Sequence, residues 1–433
     1  MNQISKIAMP LFIMTLFNFS MSFVDTMMVG RLSVESISAV SSANTPISIM
    51  VQIIGTLIIG VQILGAKASA NDDREKVIEV YRISFYLMSI VTVLIVVIGF
   101  IFSNQIINFY STEKIMTIAH EYYLIRLIGL IFIPITMIIK TSYDVRKNTK
   151  IGLKLIILST LTNIIFNYIL IFGFNLGVIG SSIGTFISSI VGVIYLLFEN
   201  KRSGTIKIRE LLNLSVNDKE TFKEIIPINA TEVLNMLMDY LGSSLLVAML
   251  TYVSTVSMAS GRILTLYLNV SFAIAMNVAT AVLILASRGE QPLKNLVSNS
   301  LKFAFLILSP IIITFIFAPK IAIRLFSSNH ELLADATSSI TVLGIVIFVI
   351  PFVTISSSIL RSKKLNKLNM YITVGSMWLV RIPIAYILIF KMNAEVISII
   401  IAALGYFLTR TIVNLFVIRK VEMNRKVEMN EVI

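Results

Sequence analysis

The chain has 433 residues, of which 56% are hydrophobic and only 14% charged, against roughly 25% charged in an ordinary soluble domain; at a mean hydropathy of +0.89 it cannot clothe a water-exposed surface. It has no cysteine, which excludes a disulfide framework and a thiolate metal site, and its two histidines, His120 and His330, lie too far apart in sequence to suggest a histidine metal centre. The net charge of +13 is better explained by basic loops on one side of a membrane than by nucleic acid.

About 20 mostly apolar residues cross a bilayer. Runs of that kind, broken by charge clusters and Gly/Asn/Ser turns, occur near 5–30, 36–66, 80–103, 121–142, 152–173, 177–198, 224–250, 255–286, 298–318, 337–360, 368–390 and 394–417. The first outruns a signal-peptide core and leads straight into more apolar chain, so it is read as a span and not as a cleaved signal. The expected fold is an all-α polytopic membrane protein of twelve transmembrane helices.

The connections alternate in charge. Even-numbered ones carry Lys67, Arg74 and Lys76; Arg146, Lys147 and Lys150; Lys201, Arg202, Lys207, Arg209 and Lys219; Arg288 and Lys294; then Arg361, Lys363, Lys364 and Lys367. Odd-numbered ones carry little beyond Arg31, Lys114, Lys320, Arg324 and Lys391. This asymmetry places both termini and the even loops in the cytoplasm of a multi-pass cell-membrane protein.

The long basic connection divides the chain into expected lobes at 1–199 and 223–433, with 200–222 as the cytoplasmic linker. The halves resemble each other. Pro10 and Pro227 are 217 apart, as are Pro134 and Pro351, and the pentapeptide YILIF recurs at 168–172 and 386–390. An even number of spans per half makes the repeat parallel, two six-helix bundles about a pseudo-two-fold axis along the membrane normal. Transporters use such halves to alternate access to one site.

Polar residues inside the spans are the functional candidates. Asp25 sits in an apolar and small-polar span, where an aspartate costs roughly 2.5–3.5 kcal/mol at a helix centre; it must be protonated, paired or ion-bound unless it reaches the solvated interface near Arg31. Asn163 and Asn167 share a helical face. Their amide oxygens suit a hard cation, and equally an interhelical hydrogen bond. Glu232 and Asp239, two turns apart with Asn229 and Asn235 nearby, could neutralise a cationic substrate or relay protons; alternatively Glu232 is solvated at the cytoplasmic mouth. Arg262 and Arg381 are intramembrane arginines that need partners. Arg262 either pairs with Asp239 or meets an anionic substrate. Met14, Met21, Met27, Met28, Met236 and Met238 could offer adaptable apolar contacts where the halves meet, or be ordinary packing residues.

Several stretches carry a family resemblance. PLFIMTLFNFSMSFVDTMMVGRLSVESISAV (10–40) has the early proline, then V-D-T-x-x-x-G. LTNIIFNYILIFGFNLGVIGSSIGT (161–185), ASRGEQ (286–291) and WLVRIPIAYIL (378–388) follow in register. Together they resemble the multidrug and toxic compound extrusion (MATE) family over the full length. The resemblance implies an exporter of organic, often lipophilic cationic compounds, driven by inward protons or sodium. It also implies a coupling-ion or proton site at Asp25, Asn163, Asn167 and Thr185, with a sodium ion at the first three as one form. Thr185 by itself is equally explained by bonding its own helix backbone. Some members have an aspartate where this chain has Asn167. Some carry an acid in span 7 where Met236 stands here, and an acid in span 10 where this chain reads Thr354-Ile355-Ser356-Ser357-Ser358. Glu232, Asp239, Met236 and Arg262 are therefore the candidates for a substrate cavity or proton relay.

No P-loop, zincin helix or serine-nucleophile motif occurs, so no enzyme is expected, and no cofactor beyond H+ or Na+. The expected partners are a small-molecule substrate and the lipid bilayer, with the protein a monomer. A dedicated exporter of one metabolite or peptide, or a related lipid-linked saccharide flippase, is the alternative.

Overall fold

The computed structural model describes residues 2–203, 206–213, 218–250, 255–289, 291–324, 330–394 and 396–431. Among them every regular element is helical. Twelve long helical segments follow one another: α1 (Asn2–Gly30), α2 (Glu35–Ala70), α3 (Arg74–Ile101), α4 (Glu113–Asp144), α5 (Lys150–Gly173), α6 (Gly177–Ser203), α7 (Asp218–Leu250), α8 (Thr255–Arg288), α9 (Leu293–Phe317), α10 (His330–Ser362), α11 (Asn366–Lys391) and α12 (Ile397–Glu431). Eleven of them, all but α7, contain described stretches long and apolar enough to cross a membrane. At 33 residues, α7 also exceeds the roughly 20 that a bilayer requires. Their exposed faces carry large apolar side chains such as Ile98, Ile194, Leu306 and Ile412. Lipid accepts these where water would not.

The helices group into two compact units. The N-terminal unit is Met9–Ala230; the C-terminal unit is Thr231–Ile433 together with Met1–Ala8. The division between these two units falls inside α7. The described part of the basic connection at 200–222 is bound into the N-terminal unit. Buried Arg82 of α3 donates from Nε and Nη2 to Asp218 Oδ1 (3.1 and 2.6 Å) and from Nη1 to the carbonyls of Glu210 and Asn213 (3.3 and 2.7 Å). Tyr86 Oη donates to the Leu212 carbonyl, and the Asn200 amide brackets Ile206. A guanidinium offers five donors in a rigid fork, so one side chain holds three points, Glu210 in the short helix Ile208–Leu212, Asn213 just after it, and Asp218 at the start of α7.

Helix ends repeat between the halves, bond for bond. Lys147 and Lys364, 217 positions apart, adopt φ of 65° and 60°. Each is followed by an amide that reaches back five residues, Asn148 N to Tyr143 O (2.9 Å) and Leu365 N to Leu360 O (3.0 Å). Asp72 and Gly289, also 217 apart, have φ of 53° and 70°. The two YILIF copies widen into π-turns, Ile169–Gly173 and Ile387–Lys391. Their aromatic pairs Tyr168–Phe172 and Tyr386–Phe390 meet as tilted rings with centroids 5.6 and 5.0 Å apart, and each turn closes through an Asn at φ of 54° (Asn175) or 50° (Asn393). Asn tolerates this left-handed conformation because its short polar side chain can bond locally.

Candidate functional site

In the N-terminal unit three helices bring four predicted residues together. Asp25 of α1 is half-buried, and its Oδ1 accepts a 2.6 Å hydrogen bond from Asn167 Nδ2. The same amide nitrogen lies 3.3 Å from Asn163 Oδ1, one turn earlier on α5. Asn163 Nδ2 in turn donates to Thr185 Oγ1 of α6 at 3.1 Å, and that hydroxyl donates to the Ser181 carbonyl. Asn163, Asn167 and Thr185 are buried. The chain of bonds thus ends on helix backbone at one end and on a carboxylate at the other.

Close approach of α5 and α6 makes this possible. A Cβ at Gly184 would collide with Asn167 Oδ1 and stand 3.0 Å from its backbone nitrogen; one at Gly180 would stand 2.8 Å from the Leu170 carbonyl carbon. Glycine at both positions lets the helices touch backbone to side chain, the small-residue packing typical of membrane interfaces.

Asn167 Oδ1 is buried and has no hydrogen-bond partner. The Asn167 amide nitrogen, not this oxygen, faces Asp25 and Asn163 Oδ1, and Oδ1 packs against Gly184; with the amide turned over, Oδ1 would join the Asp25 carboxylate and Asn163 Oδ1 as hard oxygen donors for a small hard cation. No group of three or more His, Cys, Asp or Glu that could hold a metal occurs among the described residues. A cation here would rest on one carboxylate and two amide oxygens, a fit for a monovalent ion more than for a divalent one.

Sequence reading missed Arg126 of α4, although a lone arginine in an apolar span is a signal in itself. It lies within electrostatic reach of Asp25, its Nε is buried without a partner, and it lines a cavity of about 190 Å³ with Thr185, Phe186 and Ser189. The neighbouring Tyr122 hydroxyl and Asn44 amide lie 3.3 Å apart.

In the C-terminal unit the predicted residues separate. Glu232 is buried, not solvated: Arg361 donates to both its oxygens (2.9 and 2.7 Å), and Asn366 donates to Oε1 at 2.8 Å. Asp239, two turns further along α7, belongs to a different cluster. Tyr406 Oη donates to Asp239 Oδ1 at 3.0 Å, and Arg410 Nη1 donates to Tyr406 Oη at 2.8 Å. Arg410 Nη2 reaches Ser357 at 3.3 Å. The guanidinium carbons of Arg381 and Arg410 lie 5.3 and 5.1 Å from the Tyr406 ring centroid. Asp239, Arg381, Tyr406 and Arg410 line a cavity of about 220 Å³. Met236 is half-buried and does not line it. Arg262 has its backbone in α8, but its side chain lies outside the described residues, so its pairing with Asp239 does too. Tyr406 and Arg410 were not predicted; their spacing of four on an apolar helix was the available signal. The acid-free Ser356-Ser357 stretch serves as acceptor for Asn414 (3.1 Å to each).

Arg381 owes its place to the backbone. Pro383 has no N–H to offer the Leu379 carbonyl, and α11 widens into a π-turn at Met377–Arg381 just before it.

Comparison with known proteins follows this geometry. A probable multidrug resistance protein NorM of Streptococcus pneumoniae strain R6 is 26% identical over 239 residues, 52% of each chain. That of Oceanobacillus iheyensis is 28% identical over 155 residues, 35% of this chain and 34% of its own. The lipid II flippase MurJ of Thermosipho africanus is 36% identical over 126 residues, 28% of this chain and 26% of that one. The matched stretches span from a quarter to about half of these relatives. Among solved structures, a MATE protein in its bent conformation superposes with a TM-score of 0.87 at 17% identity, covering 98% of this chain and 96% of that one. An outward-facing multidrug resistance MATE family transporter gives 0.87 at 18%, covering 96% and 95%; both likenesses speak for the fold alone. The MatE family model matches residues 10–169 and 233–387, taking in Asp25, Asn163 and Asn167 in one half and Asp239 and Arg381 in the other. With a matching model over most of both halves, the chain belongs to the MatE family.

Proposed function

We propose that the chain is a secondary active exporter that exchanges H+ or Na+ for an organic compound by alternating access. The observation that carries this reading is the Asp25–Asn167–Asn163 cluster with its unpartnered Asn167 Oδ1. A carboxylate inside a membrane is stable when protonated, paired or ion-bound. Here it has one amide donor beside it, and an amide oxygen with unused lone pairs. Binding a proton or cation at Asp25 would compete with the Asn167 bond and so change how α1 meets α5, while Thr185 holds Asn163 on α6. Two lobes joined through 200–222, both termini in the cytoplasm of a cell membrane, and a monomer without catalytic residues or cofactor complete the proposal.

The substrates are lipophilic organic cations in this reading, as the family resemblance implies. A lipid-linked saccharide flippase is the second reading. It is favoured by the MurJ segment and by two arginines in one cavity, and opposed by how little of that relative is matched.

Efflux of a fluorescent lipophilic cation from cells expressing wild type and Asp25→Asn, with sodium and pH varied separately, tests it. Asp25→Asn, inserted at wild-type level, is expected to lose gradient-driven efflux by at least tenfold. The gradient that drives the wild type names the ion. Full gradient-driven efflux in the variant would overturn the reading.

A further inference from the structure

The cavity of the C-terminal unit is poised for a charge opposite to the one expected of a cation exporter. Arg381, Arg410 and Asp239 line it, two cationic groups against one anionic. Asp239 lies within electrostatic reach of Arg381, so one of the two positive charges remains in excess. Asp239 receives the Tyr406 hydroxyl, and neither guanidinium forms an ion pair among the described residues. Arg410 uses one donor on Tyr406 and one on Ser357. Arg381 makes no hydrogen bond to a described residue, and the Nε atoms of both arginines are buried without a partner. Arg410 is 8% exposed.

The Tyr406 ring lies beside both guanidinium groups at the space, a cation–π arrangement that orients them while the Arg381 donors and the Arg410 Nε stay unused. Two desolvated guanidinium groups with one carboxylate for the two leave an uncompensated charge that is costly, and the planar fork matches a carboxylate or phosphate with two parallel bonds. The remaining wall is apolar, with Leu246, Leu268, Phe272 and Phe407. At about 220 Å³ the space is smaller than the roughly 300–1,000 Å³ of a drug-sized pocket. It fits a charged head and the first part of an apolar body.

We propose that this cavity is a binding site for an oxyanion, the carboxylate or phosphate group of an amphipathic molecule, held by Arg381 and Arg410 with Tyr406 between them and Asp239 tuning its affinity. The chain would accordingly accept anionic or zwitterionic amphiphiles as well as cations. Binding at this site requires no gradient and no role for Asp25, so it stands or fails separately from ion-coupled efflux.

The test uses the purified full-length protein in neutral detergent, without a gradient. Trp378, the single tryptophan and three residues before Arg381 on α11, reports by its fluorescence, with calorimetry alongside. Phenylacetate, inorganic phosphate and phosphatidylglycerol are titrated separately. Saturable binding of phenylacetate is expected, weakened at least tenfold by Arg410→Gln and by Arg381→Gln, and tightened severalfold by Asp239→Asn. That opposite sign cannot come from damage to the fold. Where a glutamine variant does not fold, the lysine variants and Asp239→Asn decide. Binding of phosphate alone, with the same signs, assigns the site to a free oxyanion; binding of phosphatidylglycerol alone assigns it to a lipid headgroup. Absence of saturable binding by all three probes, or affinities indifferent to these substitutions, would overturn the proposal.

Discussion

Glu232 shows how burial decides what a carboxylate does. Both of its oxygens are engaged by Arg361, and Asn366 takes a further lone pair. Such a pair contributes less as a pair than it costs to break, because the surviving partner is left charged and buried. Arg361→Ala is expected to destabilise the protein by about 3–5 kcal/mol, seen as a lowered unfolding midpoint in detergent; an unchanged midpoint would show that water reaches Glu232. Gly184 acts through space instead of charge. Gly184→Ala puts a methyl group onto the Asn167 amide. It should abolish ion-driven efflux while insertion stays normal, whereas Gly173→Ala, with nothing within 4 Å of the new Cβ, should be silent in the same assay. Equal loss in both would remove the Asn167 amide from the mechanism.

At the scale of the element, the helices are ended and bent by local chemistry that recurs between halves. Lys147 and Lys364 close their helices in left-handed conformations, which strain any residue with a Cβ. Replacing either with glycine removes that strain, against a looser unfolded chain. Lys364→Gly is expected to stabilise by about 0.5–1 kcal/mol net, measured as a raised unfolding midpoint; a lowered one would mean that the lysine side chain contributes more than its backbone costs. The paired YILIF turns make the same point. A pentapeptide recurring at an offset of 218 could be chance in so apolar a chain, but matching π-turns, matching tilted aromatic pairs and matching left-handed asparagines are the conformational signature of a duplicated unit.

For the whole molecule, the proposed membrane orientation rests on where the basic residues lie, and the absence of cysteine makes it measurable. Single substitutions Lys147→Cys and Lys364→Cys are expected to resist a membrane-impermeant maleimide in intact cells and to label after permeabilisation; Lys114→Cys and Lys391→Cys should label in intact cells. The reverse pattern would invert the topology. The extent of the lobes needed more than composition. The basic stretch after α6 reads as a cytoplasmic linker; Arg82 of α3 binds its described part, and the contact-based division between units falls within α7.

The sequence by itself determined the all-helical membrane class, the order of the apolar segments and the internal offset of 217–218, because bilayer thickness fixes span length and a duplicated chain keeps its turn residues. Asp25, Asn163 and Asn167 stood out as polar residues in apolar helices, the family resemblance grouped them with Thr185, and the four lie in one cluster. Which acids are engaged by which bases was decided only in the tertiary structure. Glu232 and Asp239 look equivalent along α7, two turns apart. One meets Arg361 and Asn366 from the end of α10 and the start of α11; the other meets Tyr406 of α12, in a cavity shared with two arginines. Side chains 129 to 167 residues away set those fates, through helix packing that no spacing along a single helix encodes.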